Sequence, residues 1–213
     1  MKLKEVIKVL WNDESLGEWQ KNNNYFKGED IMKKNEKTKK MIINALLLGI
    51  GAILHQITPA LGLPMQPDFA LVMLFIIMIL NRGDYKISLI AGIITGIFTG
   101  MTTKFPGGQL PNMIDKIITV NLVFLIIISI NKLKVLKSMT ENKRRIVESI
   151  IVFPIGTLIS GVTFLLSANI LVGLPAGFTS LFILIVLPSM VINLIVGLMI
   201  FKIISTSMKR VTV

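Results

Sequence analysis

The chain has no cysteine, and that absence excludes a disulfide framework, a thiolate metal site and a cysteine nucleophile. A single histidine, His55, excludes the usual zinc constellations. Charged residues make up only 16% of the 213 residues, against about 25% in an ordinary soluble domain. No GxxxxGK[ST] phosphate loop is present, so the chain does not itself drive chemistry by binding ATP that way. There is no HExxH and no pair of carboxylates at helical spacing, which leaves an intramembrane hydrolase without its machinery. The composition calls for no cofactor.

What is present is apolar sequence. The hydrophobic fraction is 53% and the mean hydropathy +0.73. Near Lys40 a polar, lysine-rich segment gives way to long apolar runs that continue to the C-terminus. A membrane-spanning helix needs about 20 mostly apolar residues. The runs predict an all-α integral membrane protein with about six transmembrane helices. Their expected bounds are Met41 to Leu61, Pro67 to Asn81, Tyr85 to Thr103, Asn112 to Asn131, Glu148 to Leu171 and Phe178 to Ser205. The second is short, which implies shielding by its neighbours or local thinning of the bilayer.

The net charge of +11 belongs to the loops and does not point to nucleic acid. Lys33, Lys34, Lys37, Lys39 and Lys40 precede the first span. Arg82 and Lys86 flank the second loop, a basic cluster from Lys132 to Arg145 fills the fourth, and Lys202, Lys209 and Arg210 close the chain. The odd-numbered loops carry only Lys104 and Lys116. By the positive-inside rule both termini are expected in the cytoplasm. Small residues at four-residue spacing mark close helix contacts: Gly92, Gly96 and Gly100 in the third span, and Ala45 and Gly49 in the first. Packing within the chain is the simpler reading of both, and a partner protein on the Ala45–Gly49 face is the sharper one.

Residues 1–31 read as a separate N-terminal extension, with the transmembrane domain over 32–213. No apolar core of a signal peptide lies in them. Leu3, Ile7 and Leu10 share a helical face, as a short surface helix would. The run Lys27-Gly28-Glu29-Asp30-Ile31-Met32 can also be encoded as AAA GGA GAG GAT ATT ATG, a ribosome-binding site followed by a start codon. Translation is therefore expected to begin at Met32.

Three segments between odd and even spans gather unusual chemistry on one side. They contain His55, Gln56, Met65 and Asp68; then Lys104, Phe105, Gly107, Gly108, Gln109, Asn112 and Asp115; then Phe178. Irregular backbone at a membrane survives only where protein buries it or water reaches it, so this density of proline and glycine predicts a lined cavity. Each residue also has a plainer role. Asp68 follows Pro67 at a helix start, where a carboxylate caps free amides. Asn112 and Asp115 stand three apart, as in an imperfect capping box. Lys104 has the reach to snorkel to headgroups. His55 has the chance to bond between helices, although an ionisable group inside a span defaults to a functional candidate. Phe105, Met65 and Phe178 have packing roles open to them.

The segments GIGAILHQITPALG, MQPD, TTKFPGGQLPNMIDK and GLPAGF, in this order, resemble the bacterial tryptophan transporter (TrpP) family. The likeness runs from Met41 into the sixth span. That family is similar in hydropathy to the substrate-binding S components of energy-coupling-factor transporters, so the resemblance implies an S-component-like bundle in the bacterial cytoplasmic membrane. It implies tryptophan as substrate, bound from the outer side. It also leaves open a vitamin or other small metabolite carried with a separate ATP-driven energy-coupling module. A free tryptophan needs an anion for its ammonium, donors for its carboxylate and an apolar slot for its ring. Asp68 or Asp115 supplies the first. Lys104, the Gly107–Gly108 amides or the start of the fourth helix supplies the second. Phe105, Met65, Phe178 and Leu174 supply the third, with Gln109 or Asn112 accepting the indole N–H.

Overall fold

The computed structural model describes residues 37–59 and 66–211, and the side chains of 37–59, 66–134 and 136–207. The expectation for residues 1–31, and Met65, lie outside them. The chain divides into two compact units, Met1–Ile43 and Asn44–Val213. The second holds the helical bundle.

Helices are the regular elements throughout the described residues. They are α1 (Lys37–Ile57), α2 (Phe69–Leu80), α3 (Tyr85–Met101), α4 (Gln109–Lys132), α5 (Glu141–Leu171) and α6, in which Phe178–Leu181, a π-helical turn Phe182–Val186 and Leu187–Val211 follow one another. A short turn of helix, Lys134–Lys137, joins α4 to α5. Four of these helices, α1, α4, α5 and α6, are long and apolar enough to cross a membrane, while α2 and α3 are shorter and apolar. The chain is an integral membrane bundle.

The sequence of α2, FALVMLFIIMIL, is apolar on every face, and a helix of that kind belongs inside a protein. Every residue from Ala70 to Ile79 is buried. At 12 residues it is about 18 Å long, well short of the ~30 Å hydrocarbon core, and α3, α5 and α6 pack around it. The short second span is shielded, as its length implied. Phe75 of α2 meets Phe153 of α5 with ring centroids 6.4 Å apart. Gly156 makes room for that contact, because a Cβ there would lie 2.4 Å from Phe75 Cζ.

The two small-residue faces part company. Gly92, Gly96 and Gly100 of α3 all abut α4, at Val120, at Lys116 and Met113, and at the Gln109 carbonyl. Gly49 of α1 has nothing within 4 Å of where a Cβ would stand. Leu46, Ile50, Ile53 and Ile57 of α1 are exposed, as residues facing lipid acyl chains would be.

Four helix starts differ from the sequence reading: α1 begins at Lys37 rather than Met41 and α2 at Phe69 rather than Pro67, and the other two change the roles of residues. α4 begins at Gln109, three residues before Asn112, with Gly108 as its N-cap and Pro111 in the first turn, where a missing N–H costs nothing. Asn112 and Asp115 are thus inside the helix and do not form a capping box. α5 begins at Glu141, seven residues before Glu148, because ion pairs support the added turns. Arg145 Nη2 lies 2.9 Å from Glu141 Oε1 and Arg144 Nε lies 3.4 Å from Glu148 Oε1, both at i,i+4. Arg82, from the α2–α3 connection, reaches across to bond both glutamates, with Nη1 2.9 Å from Glu148 Oε1. Arg144 Nε also donates to Asn131 Oδ1 at 2.7 Å. This network pins α2, α4 and α5 together at one end of the bundle.

Substitution Gly156→Ala is expected to destabilise the bundle by about 1–3 kcal/mol, the usual cost of overpacking. Gly49→Ala, in open space, is expected to be neutral or to stabilise by up to about 1 kcal/mol. Thermal denaturation of the two purified variants in detergent checks the contrast.

A charged cavity between the helices

The opposite end of α2 begins with Asp68. Its Oδ1 accepts the Leu71 amide at 3.0 Å, so the carboxylate caps the helix. Its Oδ2 lies 2.7 Å from Lys116 Nζ, so the same group also holds a buried cation. The capping role and the site role coincide in one side chain.

Lys116, on α4, is 1% exposed and has three partners. Its ammonium bonds Asp68 Oδ2 and Asp115 Oδ2, and lies 3.5 Å from Ser160 Oγ on α5. Asp115 is equally buried and spends both oxygens. Thr119 donates to Oδ1 at 2.8 Å, and Ser160 donates to Oδ2 at 2.8 Å beside the ammonium. Burying ions is costly unless geometry and hydrogen bonds compensate, and here they do. Two carboxylates face one ammonium.

His55 closes the group from α1. The Thr102 hydroxyl donates to the Phe98 carbonyl at 2.7 Å, so its oxygen is left to accept from His55 Nδ1 at 2.7 Å. Nε2 then faces Asp68 Oδ1 at 3.9 Å, and the Gln66 amide lies 3.1 Å away while bonding the His55 carbonyl at 2.8 Å. Lys104 ties the α3–α4 loop to α1 by donating to the Thr58 carbonyl. The loop turns tightly at Gly107, whose φ of +70° suits glycine and whose Cβ would meet Val172 Cγ1 at 2.6 Å.

These groups line an open cavity of about 600 Å³, its mouth and the adjoining solvent space included. His55, Gln66 and Asp68 line it near α1 and α2; Lys104, Phe105, Asn112, Asp115 and Lys116 line it from the α3–α4 loop and α4. Thr157, Ser160, Gly161 and Phe164 of α5 face Ile185, Val186, Ser189 and Asn193 of α6. The π-helical turn of α6 precedes Pro188, which has no N–H to give to a regular helix, and it carries Ile185 and Val186 to the cavity wall.

Of the residues expected to form a site, His55, Asp68, Lys104, Phe105, Asn112 and Asp115 meet around this cavity. Gln56 and Gln109 are exposed and stand off it. The Gly108 amide is spent on the Phe105 carbonyl at 2.9 Å, and the Gly108 carbonyl accepts Asn112 Nδ2. Phe178 and Leu174 lie behind the cavity wall, packed on the cluster formed by Phe105, Phe164, Leu181 and Ile185. Phe105 and Phe164 meet edge to face, 5.4 Å between centroids. Sequence reading missed Lys116, Ser160, Thr157, Phe164 and Asn193. A signal existed for Lys116, an uncommon cation inside an apolar helix; the others look like ordinary span residues.

No solved structure matches the chain. A family model described as tryptophan transporter TrpP matches residues 37–209. Three relatives carry the name probable tryptophan transport protein. The one from Clostridium perfringens is 54% identical, covering 84% of this chain and 98% of its own length. That from Clostridium acetobutylicum is 48% identical, over 81% and 95%, and that from Bacillus subtilis 39% identical, over 82% and 95%. The chain belongs to the TrpP tryptophan transporter family.

Proposed function

We propose that this chain carries tryptophan across the bacterial cytoplasmic membrane as a multi-pass transporter and is not an enzyme. The buried Asp68–Lys116–Asp115 cluster opening onto a cavity with apolar and polar walls carries the reading, together with the family. Both termini lie in the cytoplasm, because the Arg82, Arg144 and Arg145 end of the bundle then faces the side where basic residues accumulate. The cavity end faces outward.

The roles of the charged groups follow from access. Asp115 and Lys116 spend their bonding capacity on each other, Asp68, Thr119 and Ser160. Asp68 is 18% exposed and is the carboxylate a ligand ammonium reaches. Lys104, at the mouth, takes the ligand carboxylate, and Phe105 and Phe164 border the ring.

A second reading concerns energy. The open space beside Gly49 supports a separate energy-coupling partner seated against the Ala45–Gly49 face, with α1 as its docking helix. Uptake by liposomes that contain this chain alone would overturn partner dependence.

Tryptophan is expected to raise the melting temperature of the purified chain, as any ligand that binds the native state does. Asp68→Asn and Lys104→Met are each expected to abolish uptake while membrane insertion, followed by immunoblot of the membrane fraction, is unchanged. Full uptake by both would remove this site. Lys116→Met strands two buried carboxylates and is expected to cost about 3–5 kcal/mol of stability, read by thermal denaturation.

A further inference from the structure

Asn193 of α6 is 1% exposed and lines the inner wall of the cavity. Its Nδ2 donates to Thr157 Oγ1 at 3.2 Å, which fixes the amide against α5. Its Oδ1 is buried with no hydrogen-bond partner in the protein. A buried acceptor left without a donor is costly, and a group of this kind at a cavity wall is completed by what enters the cavity.

We propose that Asn193 Oδ1 accepts the ring N–H of the bound ligand and is the residue by which the site selects an indole over other aromatic side chains. The inference rests on the tryptophan reading above and adds the specificity contact to it. Helix register supports the placement. Ser160, which bonds Asp115, and Thr157, which bonds Asn193, are three residues apart on one face of α5. They stand about 4.5 Å apart along the axis, comparable to the separation between the α-carbon and the indole nitrogen of tryptophan. A ligand whose ammonium sits at the charged cluster therefore brings its ring nitrogen to the level of Asn193. Gly161, Phe164, Ile185 and Val186 supply apolar wall beside the charged cluster.

The other amides offer less for this contact. Gln109 is exposed, and Asn112, which lines the cavity with its Nδ2 on the Gly108 carbonyl, leaves no buried acceptor unpaired. Gln66 Oε1 is also buried and unpartnered, but Gln66 sits beside the His55 ring, at the charged end.

The test is equilibrium binding to the full-length chain purified in detergent, with tryptophan and with 3-benzothienylalanine, which has the same shape but sulfur in place of the ring N–H. The native chain is expected to bind tryptophan about ten- to a hundred-fold more tightly than the analogue, the usual consequence of leaving a buried acceptor unpaired. Asn193→Leu is expected to close that gap to about threefold or less while keeping affinity for the analogue, which also reports that the variant is folded; Asn193→Ala replaces it if it is not. Equal affinity of the native chain for both ligands, or a gap that survives substitution, overturns the proposal. Binding of neither ligand by the native chain overturns the tryptophan reading itself, and this inference with it.

Discussion

An ammonium buried between two carboxylates organises this bundle. Lys116 cannot be carried into an apolar interior alone, because the desolvation of an ion far exceeds what packing returns. It is tolerated because Asp68 arrives from the start of α2 and Asp115 from the same turn of α4, with Ser160 adding a hydroxyl from α5. Satisfying one cation therefore fixes three helices relative to one another at one end of the molecule. The Arg82, Glu141 and Glu148 network does the same at the other end. Between these polar ends the buried α2 supplies apolar contact on all sides.

The arrangement also explains how a small bundle keeps a cavity. Where α5 meets α2, Gly156 allows an aromatic ring of α2 to press directly on the helix backbone. Nearer the charged end, α6 loosens into a π-helical turn before Pro188, and the packing gives way to lined space. The charged groups stay together because each is bonded, and the space remains because polar groups on its walls resist collapse.

Charge placement separates holding from exchanging. The Asp115–Lys116 pair is enclosed and fully bonded, so it acts as a fixed source of field. Asp68 shares that pair but keeps an accessible edge, beside a histidine whose ring is oriented by Thr102. Lys104 sits at the mouth on a loop whose path depends on the left-handed backbone of Gly107. Such a gradient, from enclosed to accessible, suits a site that binds and releases a zwitterion.

The sequence by itself determined the class of this protein. Runs of apolar residues with few charges have no stable home but a bilayer, and the short second run, Pro67 to Asn81, implied shielding by its neighbours or local thinning of the bilayer. It also brought His55, Asp68, Lys104 and Asp115 together as candidates, since alternating spans place alternate loops on one side. Tertiary structure decided which of those side chains are enclosed by their partners and which keep an accessible edge. Lys116 differs from a snorkelling lysine only by the carboxylate that α2 brings to it, and Asn193 differs from any other span asparagine only by an oxygen left unpaired beside a cavity. Those distinctions depend on distances between residues far apart in the chain, which no local pattern of apolar and polar residues encodes.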